Sequence, residues 1–433
     1  MSFDSAKVHP AKQFRQRHRQ QQHASAHSES AVEAAPSGPA IDGVPHGRAE
    51  LVTDSSQLAA AVEQLRAAGT FAYDTEFIGE LSYRPQLCLV QVGTAEHVWL
   101  VDPLAGVSLD PLWELLCDAS VRKLVHAGDQ DLEHVWRATG RAPANVLDTQ
   151  IAAGFVGLSY PAALSKLVLE FTGVKLHKAF TFTDWSHRPL SGSQLRYAAD
   201  DVRYLPLIAS RIESLLAQRD RSEWARAECD ARCLSTQPNG DPNEAWERVR
   251  GNASLDARGL RVLQALAAWR EGAAQSADVP ARTFVKDEVL IDLSRQPPKS
   301  VDRLFNVKHM PRPVVDHHGP TIIDAVQRAI TSSTGPAVAD SGPEPMLRDK
   351  FRHDSLWAVA QTLCCGQGLD PQLVTSKQEI VDFDVALRTQ KPIDGMRLMT
   401  GWRRDAVGSK LVDLIRDKFR TTVAWADDGL ALS

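Results

Sequence analysis

The chain has 433 residues, 43% hydrophobic and 24% charged, which is the balance of soluble globular protein and points to two to four domains with more than one core. A net charge of −5 gives no global attraction to nucleic acid, so such a partner has to be held by local basic patches or through metal. No apolar run approaches the roughly 20 residues of a membrane span, and the stretch 1–10 lacks the apolar core of a signal peptide, so no membrane partner and a cytoplasmic location are expected.

Residues 1–47 read as a disordered N-terminal arm. Lys7, Lys12, Arg15, Arg17 and Arg19 stand among Gln and His, and a Ser/Ala/Pro/Gly stretch follows that cannot bury enough surface to offset its ordering entropy. Over 48–220 strands and helices alternate. Strand-like runs at 70–77, 87–93 and 98–101 follow one another over short connections, which favours an antiparallel meander, and a further strand is expected at 123–126. Helices are predicted at 109–118, 129–139, 149–156, 162–172 and 193–216, so this part is an α/β domain with a mixed sheet.

Residues 221–245 read as a linker, most clearly at Thr236 to Pro242. A helical unit over 246–331 is cut into short helices by Pro280, Pro297 and Pro298, and its His317-His318 pair is expected in a turn closed by Gly319-Pro320. A second linker spans 332–345, and a second helical unit spans 346–425. The six cysteines, Cys88, Cys117, Cys229, Cys233, Cys364 and Cys365, form no metal-binding or disulfide spacing and are expected to be reduced.

Four acidic positions in three separate segments carry the chemistry. Asp74 and Glu76 are two apart on a strand and so share a face, while Tyr73, Thr75 and Phe77 take the other. An edge strand with a wet face would also carry such a pair, but Phe71, Ala72, Tyr73, Phe77 and Ile78 suit a central strand. Asp131 falls in the first turn of a helix, where capping and the helix dipole also favour acids, and Asp129 is an alternative for either role. Tyr197 and Asp201, four apart, lie on one helix face beside an apolar face of Leu195, Ala198, Val202 and Leu205, whereas Asp200 points elsewhere, to cap or to face water. Carboxylates held together repel unless cations sit between them. Two divalent ions, Mg²⁺ or Mn²⁺, match an all-oxygen set, and two such ions can cleave a phosphodiester with water. A tyrosine beside this set can hold the attacking water in line.

These three segments, with Tyr197 in the third, resemble the ribonuclease D family of 3′-5′ exoribonucleases, of the tyrosine subgroup of the DEDD superfamily. The stretches from Leu147 to Ala153 and Thr183 to Leu190 are also similar to that family, and the two helical units resemble HRDC and HRDC-like domains. The resemblance implies an α/β ribonuclease H-like exonuclease domain over 48–220, an HRDC domain over 246–331 and a second HRDC-like helical domain over 346–425. It implies that Asp74 bridges two metal ions, that Glu76 and Asp201 bind the nucleophile-side ion, that Asp131 holds the other, and that Tyr197 orients the water. It selects Asp131 over Asp129 and Asp201 over Asp200, and it puts Phe77 and His126 beside the 3′-terminal nucleotide. The implied substrate is RNA, with 5′-mononucleotides released from the 3′ ends of tRNA precursors or other structured RNA. Arg84 departs from the family, whose members often carry an aromatic residue there.

Further basic residues cluster near the third segment. Lys175, Lys178, Arg188 and Arg196 could meet phosphates, and Trp185 could offer a stacking surface or pack beneath the helix. Arg282, Lys286, Lys299, Arg303, Lys308 and Arg312 in the first helical unit fit an RNA-holding surface or a solvated face equally. Two other readings compete: a 3′-5′ DNA exonuclease of proofreading or Werner type, and a non-catalytic RNA-binding scaffold, against which all four acids and the tyrosine stand.

Overall fold

The computed structural model describes residues 40–79, 82–176, 184–238, 241–336, 346–416, 423–426 and 429–432. Most of the expected arm, 1–39, lies outside these residues. Its last part does not behave as an arm: Val44 is buried against the domain that follows.

Six strands form one mixed sheet in the order β1-β4-β3-β2-β5-β6. They are β1 (Glu50–Val52), β2 (Thr70–Ile78), β3 (Gln86–Gly93), β4 (Val98–Val101), β5 (Arg122–Val125) and β6 (Val146–Asp148). The β2-β3-β4 meander is antiparallel, as its short connections require, while β1 pairs with β4, β5 with β2, and β6 with β5, all in parallel. Side chains alternate across this sheet. One face brings Phe71, Tyr73, Val90 and Val92 against the helices α1 (Ser55–Ala68), α2 (Asp110–Cys117) and α3 (Asp129–Thr139), through Leu58, Leu65, Leu112, Leu116, Leu132 and Val135. The other brings Ala72, Leu89, Leu100 and Leu124 against α4 (Thr149–Gly154), α6 (Gly192–Arg203) and α7 (Leu205–Gln218). Helix α5 (Leu164–Thr172) joins that second layer through Leu167 and Val168.

Elements not read from the sequence include β1, α1 and β6. Both strands have only three residues, too short to show a period, and α1 is a run of alanines whose clearest signal is the Asp54 N-cap. The single helix expected over 193–216 is two. Pro206 has no N–H to give the Val202 carbonyl, and the chain turns at Tyr204 between α6 and α7. Much of the expected 221–245 linker is helix α8 (Ser222–Ser235), which packs on the domain through Ala225, Cys229 and Cys233.

The first helical unit has its own core around α9 (Ala257–Ser276), α11 (Asp287–Arg295) and α13 (Arg312–Thr331), with α10 (Ala281–Phe284) and α12 (Val301–Leu304) between them. The turn expected at Gly319-Pro320 is absent, because α13 runs through it. Val315, Ile322 and Val326 are buried on both sides of the proline, His318 packs on Trp269 and Phe284, and a Cβ on Gly319 would lie 2.7 Å from Val301 Cγ1. Packing outweighs the lost helix bond. This unit meets the α/β domain at Tyr83, whose backbone N–H donates to Asp278 and whose hydroxyl donates to Glu271, each at 3.1 Å.

The second helical unit holds α14 (Leu347–Cys365), α15 (Pro371–Val374), α16 (Lys377–Arg388) and the segments Gly401–Arg403 and Ser409–Ile415 around a π-helical turn. Among the described residues it has no separate core. Leu356, Leu363, Leu373, Phe383 and Trp402 belong to the apolar cluster that underlies the sheet. Trp402 meets Phe155 edge-on at 4.7 Å and stacks on Trp224, and Arg403 pairs with Glu228 at 2.6 Å. Cys364 is buried and Cys365 exposed. Beyond it, Val423–Ala426 and Gly429–Leu432 pair antiparallel. Among the described residues no helix is long and apolar enough to cross a membrane.

Arg203 is fully buried and ties α6 to the chain leading into the sheet. It pairs with Asp200 at 3.2 Å and donates to the carbonyls of Pro45 and Gly47. An alanine there removes one half of a buried ion pair, so Arg203→Ala should cost about 3–5 kcal/mol of stability, read from urea unfolding.

Candidate active site

Strand β2 outruns its neighbour. Its last parallel pair with β5 is Ala72 with Leu124, so the edge beyond Ala72 is left without a ladder partner on that side. The first turn of α3 fills the gap. Asp131 accepts the Thr75 N–H at 3.1 Å and also the Thr75 hydroxyl, while Tyr73 donates to the Asp131 carbonyl at 3.1 Å. On its other edge β2 stays paired with β3 through Asp74 and Glu76, then a register shift between Glu76 and Phe77 turns the strand end.

The turn that brings α3 to this place is tightly built. Ala127 sits at φ 55°, and a Cβ on Gly128 would lie 2.8 Å from the Val125 Cβ. Asp148, at the end of β6, takes the Ala127 and Gly128 N–H groups at 3.1 Å each and also caps α4 through the Gln150 and Ile151 N–H groups. Thr75 and Asp148 had no role in the sequence reading. The available signals were the position of Thr75 between the two acids and the Asp-Thr start of a helix at 148–149.

From the opposite layer comes α6, started by a capping box of Ser191 and Gln194. Tyr197 and Asp201 stand one turn apart, and the Tyr197 hydroxyl donates to the Asp201 carboxylate. Asp200 neither caps the helix nor faces water, because its carboxylate is buried against Arg203. Trp185 lies 6.1 Å from the Tyr197 ring.

Asp74, Glu76, Asp131 and Asp201 therefore meet from one strand and two helices on opposite faces of the sheet. Burial, with Asp131, Asp201 and Glu76 close by, raises Asp74 well above the carboxylate range. Burial and then Asp201 and Asp131 push Glu76 up to about 9. Burial pushes Asp201 to about 8 against the hydrogen bond from Tyr197, and Asp131 to about 6 against the bonds from Thr75. The Tyr197 phenol is raised by burial and by Asp201, so it remains a donor. Neighbouring guanidinium groups are engaged elsewhere: Arg188 with Asp102, Arg203 with Asp200, Arg232 with Asp129. Such a cluster of repelling oxygens fits hard divalent cations. As placed, no three His, Cys, Asp or Glu side chains among the described residues are grouped to grip an ion. Asp131 gives its Oδ1 to Thr75.

The substrate-side expectations divide. Phe77 packs edge-on against His134 at 5.2 Å. His126 bonds the Thr149 hydroxyl and the Ala162 carbonyl through its two ring nitrogens, each at 3.0 Å, and burial lowers its pKa. Trp185 is only 4% exposed, so it is no open stacking platform and instead packs beneath α6, beside Tyr197. Arg188 is bidentate to Asp102 and donates to the Cys88 carbonyl, which removes it as a phosphate contact. Lys178 lies outside the described residues, and Lys175 is exposed.

Known nucleases are similar to this chain. Residues 49–217 match the family described as 3′-5′ exonuclease, and residues 259–326 match the HRDC domain. The chain is 34% identical over 367 residues to ribonuclease D of Gluconacetobacter diazotrophicus, covering 84% of this chain and 92% of that one. It is 31% identical over 380 residues to ribonuclease D of Escherichia coli K12, covering 85% and 98%. The crystal structure of Escherichia coli RNase D superposes with a TM-score of 0.73 at 30% identity, covering 86% of this chain and all of that one.

Asp148 accepts four backbone N–H groups, two from the turn under α3 and two at the start of α4. Asp148→Ala should lower stability by about 1–3 kcal/mol in urea unfolding, because the buried Gly128 N–H is left without its acceptor.

Proposed function

Because this chain belongs to the ribonuclease D family and is a 3′-5′ exoribonuclease, we propose that Asp74, Glu76, Asp131 and Asp201 hold the two divalent cations that its hydrolysis requires, with Tyr197 beside them. The observation that carries this reading is the convergence of four mutually repelling carboxylates whose neighbouring arginines are committed elsewhere. When bound, Mg²⁺ or Mn²⁺ supplies an activated water and neutralises charge on the phosphate. The chain's own residues do the rest. The Tyr197 hydroxyl, hydrogen-bonded to Asp201 and kept protonated, holds a water by one bond while Asp201 fixes its direction. Thr75 holds Asp131 ready at the strand edge, and the Asp148 clamp fixes the helix that carries it. Phe77 and His126 are the residues we place against the terminal nucleotide.

The substrate is RNA with a free 3′ end, including the tails of structured RNA such as tRNA precursors. This is supported by the kinship with the Escherichia coli enzyme, described as an exoribonuclease involved in structured RNA processing. It is also supported by the exposed Lys286, Lys299, Arg303, Lys308 and Arg312 on the HRDC unit, which can track phosphates. The domain division follows: an exonuclease domain over 48–220 extended by α8, an HRDC domain over 246–331, and an HRDC-like unit from 346 onward fused to the exonuclease core.

With a labelled single-stranded RNA and Mn²⁺, the protein should release 5′-mononucleotides from the 3′ end, act more slowly on the matched DNA strand, and stop on addition of EDTA. Asp74→Asn should lower the rate by about 1,000-fold or more. Retention of most of the activity in that variant would refute the site.

A further inference from the structure

Gln91 is a polar side chain where packing calls for an apolar one. It lies in the middle of β3 and is fully buried, and among the described residues neither its amide nitrogen nor its amide oxygen has a hydrogen-bond partner. Leaving such groups unsatisfied costs about 1–3 kcal/mol each. The neighbouring positions on the same face behave normally: Leu89 and Leu100 are buried in the apolar cluster, and Gly93 lies beneath Val202 of α6.

Register gives the reason. Gln91 stands directly opposite Asp74 in the antiparallel β2-β3 pair and opposite Leu100 in the β3-β4 pair. Directly opposed residues point to the same face, with Cβ atoms about 4.5–5.5 Å apart. The lid over this face is the apolar side of α6, with Ala198 and Val202. Of these neighbours, Asp74 is the one with oxygens to receive an amide N–H.

We propose that Gln91 is a positioning residue of the nuclease, whose carboxamide donates to the Asp74 carboxylate and fixes its orientation when divalent cations are held. The inference rests on the site assignment above and deepens it. A neutral donor suits this place better than Lys or Arg. It satisfies a carboxylate lone pair and sets the direction of the other oxygen, yet does not compete with cations for the charge. The unpartnered amide is then the cost of keeping a donor ready beside Asp74.

The test compares the parent protein with Gln91→Met, which keeps volume and removes both polar atoms, and with Asp74→Asn. Thermal unfolding in EDTA, the Mn²⁺ concentration that half-completes the Mn²⁺-induced rise in melting temperature, and kcat and KM on single-stranded RNA are measured for each. Gln91→Met should be at least as stable as the parent in EDTA, need about 10-fold more Mn²⁺, and lose about 10- to 100-fold in kcat with KM unchanged. A parent-like kcat and Mn²⁺ response would overturn the proposal, as would a loss of stability in EDTA that accounts for the loss of rate. If Asp74→Asn itself keeps hydrolysis and its Mn²⁺ response, the site assignment fails and not merely the role of Gln91.

Discussion

The structure is organised around like charges held together at the end of one strand. Four carboxylates gather where burial and mutual repulsion both oppose ionisation, an arrangement that no gain in stability explains. The scaffold bears that cost. Fully buried Phe71, Ala72 and Tyr73 fix the start of β2, so that its far end can carry charge where the β5 ladder has stopped. The strand is wedged between two neighbouring strands at its start, and at its end the first turn of α3 takes the place of one of them.

Each acid arrives by a different device. Asp74 and Glu76 come with the pleat of β2. Asp131 comes with a helix entry that needs a left-handed Ala127, a Gly128 without a side chain and a buried Asp148 beneath both. Asp201 comes with α6, clamped to the other layer by Ala198 and Val202 and to the entering chain by Arg203. The site's own charges therefore lean on charged and polar groups that are themselves buried and satisfied. Asp148, Asp200 and Arg203 contribute geometry, and their partners absorb their charge.

The two helical units relate to the catalytic layer in different physical ways. The HRDC unit has its own core and touches the α/β domain through hydrogen bonds from Tyr83, in the loop that follows the acidic strand. The second unit shares the apolar cluster under the sheet, sealed by Trp402 and by Arg221, which donates to the carbonyls of Phe155 and Gly368. A shared core makes that unit part of the catalytic body, whereas a polar contact leaves the HRDC unit a separable one.

By itself the sequence determined the mixed sheet, the meander and the placing of the acids and Tyr197 on a strand and on helices, because period, short connections and carboxylates at strand and helix spacings are local signals. It did not show β1, β6 or α8, since three-residue strands and a helix with many polar residues carry no pattern of their own. Only the tertiary structure decided that Asp131 rests on Thr75, that Asp200 is buried, that Trp185 is buried and Arg188 bound to Asp102, and that Gln91 stands opposite Asp74. Each of these depends on which segments meet across the sheet, and that follows from long-range pairing and shared burial.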